Sequence, residues 1–313
     1  MLHPFWKKMI QKDCLGVDWG LETIKWVRLA PCGSRQYKLA FAEVLQQPKD
    51  EKDIAVTLKD FVKNHGLAGI PVAACFQDES LHVRRMEFPR MPDEDLKEAI
   101  RWELRDIAQG SIELYDVRYT VLEEIHKPES VRWVLLAYAV KKTALERQTQ
   151  LLLKAGLKPF FLEPTPVSLA YAVERAYHVA DNEWLGCVDI GQEGSFFMTL
   201  MGGKLFFVRP LSGISQGEAV ALKAEFPQQL ALELERAIDA FSLIYHVEKL
   251  EKIVLAGGGA HDNDLPVSLS KNLGVPTEVF NPFRGIQEVH SFPLAVQNPY
   301  LFGPAVGMAF LKP

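Results

Sequence analysis

The chain has 313 residues, of which 48% are hydrophobic and 24% charged, with a formal net charge of -5. That length is roughly two domains' worth and buries a large core without disulfide or metal staples. The mild acidity supplies no overall attraction for nucleic acid or anionic lipid.

The four cysteines, Cys14, Cys32, Cys75 and Cys187, have no metal-type spacing. Cys14, Cys75 and Cys187 sit in apolar runs as small buried hydrophobes, which points to a reducing compartment. The start, "MLHPFWKKMIQKD", lacks the continuous apolar region of a signal peptide. No run reaches the ~20 apolar residues of a membrane span, so a cytoplasmic protein is expected. The start reads as a loosely ordered terminus, or as a short amphipathic surface anchor through Phe5, Trp6, Met9 and Ile10.

Residues 14 to 45 read as three strands, "LGVDW", "TIKWVRL" and "YKLAFAEVL", with a turn at Gly33-Ser34 between the last two. In the second, Ile24, Trp26 and Arg28 alternate against Lys25, Val27 and Leu29. "EKDIAVTLKDFVKNHG" has helical spacing, with Ile54, Leu58, Phe61 and Val62 on one face and Gly66 as the stop. "PVAACF", 71 to 76, is a buried strand. Residues 80 to 160 then form a strand-helix-strand-strand-helix unit. Its first helix opens at Pro92, carries Asp93, Glu94 and Asp95 at the positive end of its dipole, and buries Leu96, Ile100, Leu104 and Ile107.

"LKPFFLEPTPVSLAYAVERAY" is a strand running into a helix that starts at Pro164 or Pro166. Three further strands follow at about 186 to 190, 195 to 200 and 204 to 211, and then a long helix with Leu230, Leu234, Ala237, Phe241 and Ile244 or Tyr245 along its face. "KIVLAGGGA" is a strand ending in three glycines, a helix from about 263 to 273 comes next, and "PTEVFNPF" is a strand and turn. "PYLFGPAVGMAFL" is an apolar terminal helix broken near Gly303-Pro304.

The chain therefore contains an internal repeat. Asp18 and Asp189 each end the first strand of a three-strand-then-helix block, and each is followed two positions on by a glycine, Gly20 or Gly191. Two such halves make a two-lobed α/β protein with a cleft. Ligands in α/β sheets sit beyond the carboxyl ends of the strands. There a glycine admits a phosphate close to the backbone, and an aspartate can hold Mg²⁺. Gly257, Gly258 and Gly259 end a third strand, where absent side chains make room for an adenine or ribose.

With these motifs in this order, the sequence resembles the actin-like ATPase fold, in the branch shared by the cell-division protein FtsA and the type IV pilus assembly protein PilM, with PilM-like members matching best. The stretches that carry the resemblance are "LGVDWGLETIKWVRL", "FPRMPDEDLKEAIRWEL", "LEPTPVSLAYA", "CVDIGQEGSFFMTLMGGKLFFVRPLSG", "LALELERAIDAF", "LAGGGAHDNDLPVSLSKNLGVPTEVFNPF" and "PYLFGPAVGMAF". They span nearly the whole chain. The resemblance implies a first actin-like lobe from residues 1–79 and 161–184, with the terminal helix 299–313 packed back on it. It implies a small α+β subdomain, 80–160, inserted in that lobe, and a second lobe, 185–298.

For cofactors it implies ATP and Mg²⁺. Asp18 and Gly20 match the first phosphate turn, Lys25 its basic position, and Asp189, Gly191 and Ser195 the second turn. Glu233 and Arg236 match the helix flanking the nucleoside, Gly257, Gly258 and Gly259 the adenosine strand end, and Asn281, Pro282 and Phe283 the turn near it. Asp18 and Asp189 would hold the metal. For partners the resemblance implies the short N-terminal cytoplasmic peptide of a PilN-like single-pass protein, lying in a groove between the first lobe and the inserted subdomain. The chain would then sit at the inner face of the inner membrane. Homo-oligomerisation stays open.

The departures from the family pattern bear on the cofactor. Small hydroxyl residues usually follow the first Asp-x-Gly, and here Leu21, Glu22 and Thr23 do. A carboxylate in a phosphate cradle opposes the ligand. Ala237 stands where serine is frequent, and Ile214-Ser215 follow "LSG" where a second glycine is common. The pattern therefore fits an adaptor with a weakened nucleotide site, against a rival reading as an ATPase whose nucleotide state regulates assembly. Without such a ligand, Asp18 serves the turn itself.

Arg84, Arg85, Arg90, Arg101 and Arg105 flank the insert's first strand and helix, either as a solvated face or as a contact surface for an acidic partner or peptide terminus. Of these, Arg84, Arg101 and Arg105, with Trp102, are the candidate partner-binding residues. Trp102, Trp133 and Tyr138 read either as core or as lining for a peptide groove. His261 reads as an exposed loop residue beside the glycine strand. No catalytic Ser-His-Asp, Cys-His or paired-carboxylate set is present in the pattern.

Overall fold

The computed structural model describes residues 14–312 apart from 34, 35, 49, 77, 109, 128, 129, 193, 223, 224 and 263. Phe5, Trp6, Met9 and Ile10 of the N-terminal segment and Ser34 of the expected turn lie outside the described residues.

The chain opens with β1 (Leu15–Trp19), β2 (Thr23–Gly33) and β3 (Gln36–Gln46), each antiparallel to the one before. Helix α1 (Glu51–Asn64) crosses back, and β4 (Pro71–Phe76) returns parallel to β1. The apolar stripe of α1, Ile54, Leu58, Phe61 and Val62, packs on Leu15, Val17, Ile24 and Trp26. Trp26 and Phe61 bring their ring centroids to 5.1 Å. Strand β2 does not keep one wet face. Val27 and Leu29 are as buried as Ile24 and Trp26, because the sheet is covered by helices on both sides.

The next unit is a separate antiparallel sheet. Strand β5 (His82–Pro89) is followed by α2 (Asp93–Glu103), β6 (Tyr115–Lys127), β7 (Ser130–Lys141) and α3 (Lys142–Lys154). The strand order is β5-β7-β6. Leu96, Ile100 and Leu104 of the α2 segment pack on Met86, Tyr115, Leu135 and Ala137 of one face. Pro92 caps the helix from outside, and Asp93 pairs with Lys97 at 2.6 Å. The other face, with Val134, Leu136 and Tyr138, joins a large cluster that includes Val27, Leu29 and Ala42 of the first sheet. Tyr138 is therefore core, with 8% exposure.

Strand β8 (Lys158–Pro164) rejoins the first sheet parallel to β4 and leads into α4 (Thr165–Tyr177). The second sheet repeats the pattern of the first. Strands β9 (Leu185–Ile190), β10 (Ser195–Met201) and β11 (Lys204–Leu211) are successively antiparallel. Helices α5 (Gln216–Leu222) and α6 (Phe226–Tyr245) follow, and β12 (Lys252–Ala256) returns parallel to β9. After α7 (Leu265–Leu273), β13 (Thr277–Val279) adds parallel to β12. Strand β14 (Ile286–Gln287) pairs with the outer edge of β3, and α8 (Pro293–Gln297) follows it. The sheet orders are β14-β3-β2-β1-β4-β8 and β11-β10-β9-β12-β13. In each, the first strand of the block is flanked by an antiparallel and a parallel neighbour.

The terminal apolar stretch is a 3-10 turn, Pro299–Phe302, followed by α9 (Gly303–Ala309), with the break where Gly303-Pro304 predicts one. Helix α9 lies between β1 and α4 at closest approach. A Cβ on Gly16 would overlap Ala305 O and Ala309 N, and one on Gly307 would overlap Ser168 O. These two glycines let backbone pass backbone and seat the end of the chain on its first strand.

Candidate functional site

The repeat brings the ends of β1 and β9 together. Asp18 lies opposite Lys25 in the β1–β2 register, and Lys25 Nζ is 3.5 Å from Asp18 Oδ2. The Cys75 thiol donates to Asp18 Oδ1 at 3.2 Å. Burial, then the Asp18 charge, holds that thiol well above its ordinary pKa, so it stays a donor. The turn after Asp18 is closed on itself. Gly20 N–H donates to Thr23 O at 3.2 Å, Gln47 Nε2 donates to Gly20 O, and Gln47 N–H donates to Glu22 O at 2.7 Å. The bare face of Gly20 receives the Lys25 ammonium, 3.1 Å from where a Cβ would stand. Leu21, 57% exposed, and Glu22 lie on the outer surface of the turn.

Asp189 is buried at the end of β9. Its pKa is pushed up to about 7, first by burial and then by the charge of Asp18, with Lys25 opposing. One ammonium thus serves two facing carboxylates. Ser195, at the start of β10, is 5% exposed, and its hydroxyl has no hydrogen-bond partner among the described residues. Among the described residues no group of three or more His, Cys, Asp or Glu side chains could hold a metal ion.

The three glycines after β12 are filled differently from the sequence expectation. Gly257 has φ +82°, and a Cβ on it would lie 2.5 Å from Asp189 Oδ1 and against Ile190 O. A Cβ on Gly259 would overlap the Ile190 side chain. These two glycines let the end of β12 close on the end of β9. The face of Gly258 is covered by the Gln216 carboxamide, while Gln216 N–H donates to Gly191 O at 2.7 Å. The space opened by the missing side chains is taken by protein atoms.

The flanking positions have structural partners of their own. Arg236 pairs with Glu233 one turn earlier on α6, and Ala237 is part of the second-sheet core with Ile214. Asn281 Oδ1 accepts from Phe283 N–H at 3.0 Å, a side-chain turn that buries Phe283 against Phe302. His261 is exposed, with Nδ1 3.2 Å from Gly258 O.

In the inserted unit, Trp102 is 65% exposed, with the Arg105 guanidinium over its ring at 4.2 Å. Arg84 reaches Glu103 O at 3.4 Å, and Arg101 Nη1 is buried with no hydrogen-bond partner among the described residues. Arg85 stacks on Tyr245 at 5.2 Å and Arg90 on Trp133 at 5.7 Å. A groove of about 800 Å³ lies between this unit and the second sheet, lined by Arg90, Trp133, Trp184, Met201, Lys204 and Tyr245 among others. Lys204 bridges it, donating to Leu122 O at 2.8 Å. Trp184 and Met201 escaped the sequence reading, and Tyr245 entered it only as one of two choices for the face of its helix, since no local pattern says that three distant segments meet the insert there.

For ATP and Mg²⁺ the two halves of the clasp test differently. On the phosphate side the residues fit. Lys25 supplies an ammonium, and Asp18 and Asp189 two carboxylates whose repulsion a cation would relieve, while Ser195, paired with Ile190, lies on the other face of the second sheet. On the nucleoside side they do not fit, because Gln216 covers Gly258.

A family model described as type IV pilus assembly protein PilM matches residues 215–310. A solved PilM-PilN type IV pilus biogenesis complex matches with a TM-score of 0.79 at 22% identity, over 97% of this chain and 100% of that one. The ethanolamine utilization protein EutJ from Carboxydothermus hydrogenoformans matches with a TM-score of 0.51 at 14% identity, over 97% and 91% of the two chains. The fold is actin-like. The chain is PilM-like in fold, and in sequence over residues 215–310. No curated protein matches it. Among the described residues no helix of this actin-like chain is long and apolar enough to cross a membrane.

Proposed function

We propose that this chain is a cytoplasmic adaptor of a type IV pilus or related inner-membrane assembly platform, and that it binds the short N-terminal cytoplasmic peptide of a PilN-like single-pass membrane protein. The observation that carries the reading is the 0.79 TM-score to the PilM-PilN complex over 97% of this chain, joined to the PilM family match in residues 215–310. In this reading residues 1–79 and 161–184, with the terminal helix, are one lobe, 185–298 the other, and 80–160 the inserted recognition unit. The peptide is held as recognition of extended segments usually works, by main-chain hydrogen bonds at a strand edge and by side-chain pockets. The exposed Trp102–Arg105 stack, with Arg84 and the half-buried Arg101 on the same unit, offers aromatic and cationic anchors for it. The protein reaches the inner face of the inner membrane through this partner.

Fluorescence polarisation with the N-terminal cytoplasmic peptide of the PilN-type protein encoded in the same genome tests the reading. Saturable binding is expected, and Trp102→Ala or Arg101→Ala should weaken it by about tenfold, the effect of one anchor worth about 1.4 kcal/mol. Absence of saturable binding to the unmodified protein sinks the adaptor reading. Unchanged affinity in both variants moves the peptide to another surface. The second reading, an ATPase whose nucleotide state regulates assembly, draws on the unpartnered Ser195 hydroxyl at the start of β10, the strand next to the one that ends at Asp189. Steady-state phosphate release dependent on Ser195 would favour it.

A further inference from the structure

Strand β8 is the last strand of the six-stranded sheet and pairs only with β4. Among the described residues, Pro159–Glu163 make no backbone hydrogen bond outside that pairing. Pro159 and Pro164 stand at the two ends of this open edge, and between them Phe160, Phe161 and Leu162 are half-buried. Free main-chain groups flanked by apolar side chains are what an added extended segment uses. Glu163 interrupts the apolar run. It lies opposite Cys75 as Phe161 lies opposite Ala73, so both share the face that packs with Tyr171 of α4. Among the described residues its half-buried carboxylate has no hydrogen bond and no ion pair. Arg118 of β6 acts on it through charge, but that guanidinium is bonded to Asp116 at 3.0 Å. Tyr138 of β7 and Tyr171 both feel the Glu163 charge, and neither hydroxyl bonds to it. A carboxylate so placed costs stability until a cation joins it. A metal ion does not fit, because no group of three metal-ligating side chains exists among the described residues. A basic side chain on an extended segment would use both the carboxylate and the open edge.

We propose that the open edge of β8 takes an extended segment of the partner peptide, and that Glu163 is the subsite for a lysine or arginine of that segment. Main-chain bonds to β8 hold the segment, Phe160, Phe161 and Leu162 meet its apolar side chains, and the Glu163 carboxylate selects for the basic one. The inference rests on the adaptor reading for the source of the segment. It does not depend on Trp102 or Arg101, because α2 packs on the face of the insert's sheet opposite to Tyr138.

The test is fluorescence polarisation of the partner peptide with the full unmodified chain and with Glu163→Gln, at pH 6 and pH 8. The peptide is used intact and with its lysines and arginines replaced one at a time by norleucine. Glu163→Gln removes a buried charge, so it should stay folded, which its melting temperature checks. It should bind the intact peptide about tenfold more weakly at pH 8. One norleucine peptide should lose the same factor on the unmodified chain and nothing further on Glu163→Gln. From pH 6 to pH 8 the affinity of the unmodified chain should rise about tenfold more than that of Glu163→Gln, because below about 7 the carboxyl must first release its proton. Of the groups facing it, Tyr138, Tyr171 and Cys75 are held neutral over that range by raised pKa values, and Arg118 keeps its charge. In hydrogen exchange the bound peptide should protect residues 160–163. The proposal is overturned if Glu163→Gln binds as tightly as the unmodified chain at pH 8, if no norleucine peptide couples to Glu163, or if residues 160–163 exchange as in the free protein. Should the unmodified chain not bind the peptide, the adaptor reading fails by itself, and selection from a random peptide library decides the subsite. Enrichment of Lys and Arg on the unmodified chain but not on Glu163→Gln then supports it, and equal composition overturns it.

Discussion

Replacing Asp189 by asparagine should stabilise the protein at alkaline pH, although it deletes a charge from the centre of the clasp. Burial and the facing Asp18 raise the Asp189 pKa from an ordinary 3.8 to about 7. The folded state therefore holds a proton that the unfolded chain has released between those values. For such a group the stabilisation is fully present below pH 3.8 and is lost as pH rises through about 7. Each pH unit between those two values is worth about 1.4 kcal/mol, so the ionised carboxylate at pH 8 costs at most about 4 kcal/mol, and the Lys25 ammonium already offsets part of the repulsion. Asp189→Asn should thus gain about 2–4 kcal/mol at pH 8 and nothing near pH 4. Urea titrations followed by tryptophan fluorescence at both pH values measure this as a change in midpoint at constant slope. In an Asp18→Asn background the gain should shrink by about half, because the repulsion is gone and Lys25 is freed for Asp189. A neutral or destabilising Asp189→Asn at pH 8, or an equal gain at pH 4 and pH 8, would refute the reasoning.

Glu163 has the same sign, its pKa raised to about 7 by burial with Arg118 opposing, so Glu163→Gln should also raise the melting temperature at pH 8 and not at pH 4. Gly16→Ala and Gly307→Ala should each cost about 3 kcal/mol or more, since each Cβ meets backbone of a packed neighbour; a cost below about 1 kcal/mol would mean that α9 is not clamped as described. The double variant Leu21→Ser, Glu22→Ser should leave stability within about 0.5 kcal/mol, because both side chains are exposed. If the first turn limits nucleotide affinity, calorimetry with Mg-ATP should show a gain in that variant. No change there would show that the first turn is not what limits binding.

Much of the architecture was legible because its signals are local. Asp18-x-Gly20 and Asp189-x-Gly191 mark two strand ends, and the stripe Ile54, Leu58, Phe61, Val62 marks a helix face that does pack on the first sheet. Short elements were not legible. Helix α5 is seven residues with Gly217 inside it, and β14 is two residues whose pairing with β3 crosses most of the chain. Tyr138 and Trp102 show the limit for single side chains. Both are aromatic residues of the inserted unit, yet one is sealed in a core shared by all three sheets and the other stands in solvent under Arg105. That choice depends on which face of β7 is covered by distant strands, and no spacing records it.

The sequence by itself determined the duplicated strand pattern, the two carboxylates at strand ends and the glycines beside them, because periodicity and turn chemistry act between residues close in the chain. Only the tertiary structure decided what those groups meet. It set Lys25 between two facing aspartates, drew Ile190 over Gly259, and laid Gln216 on Gly258. Burial and charge repulsion depend on distances between segments that the chain brings together only by folding, so the state of the clasp is a property of the packed molecule.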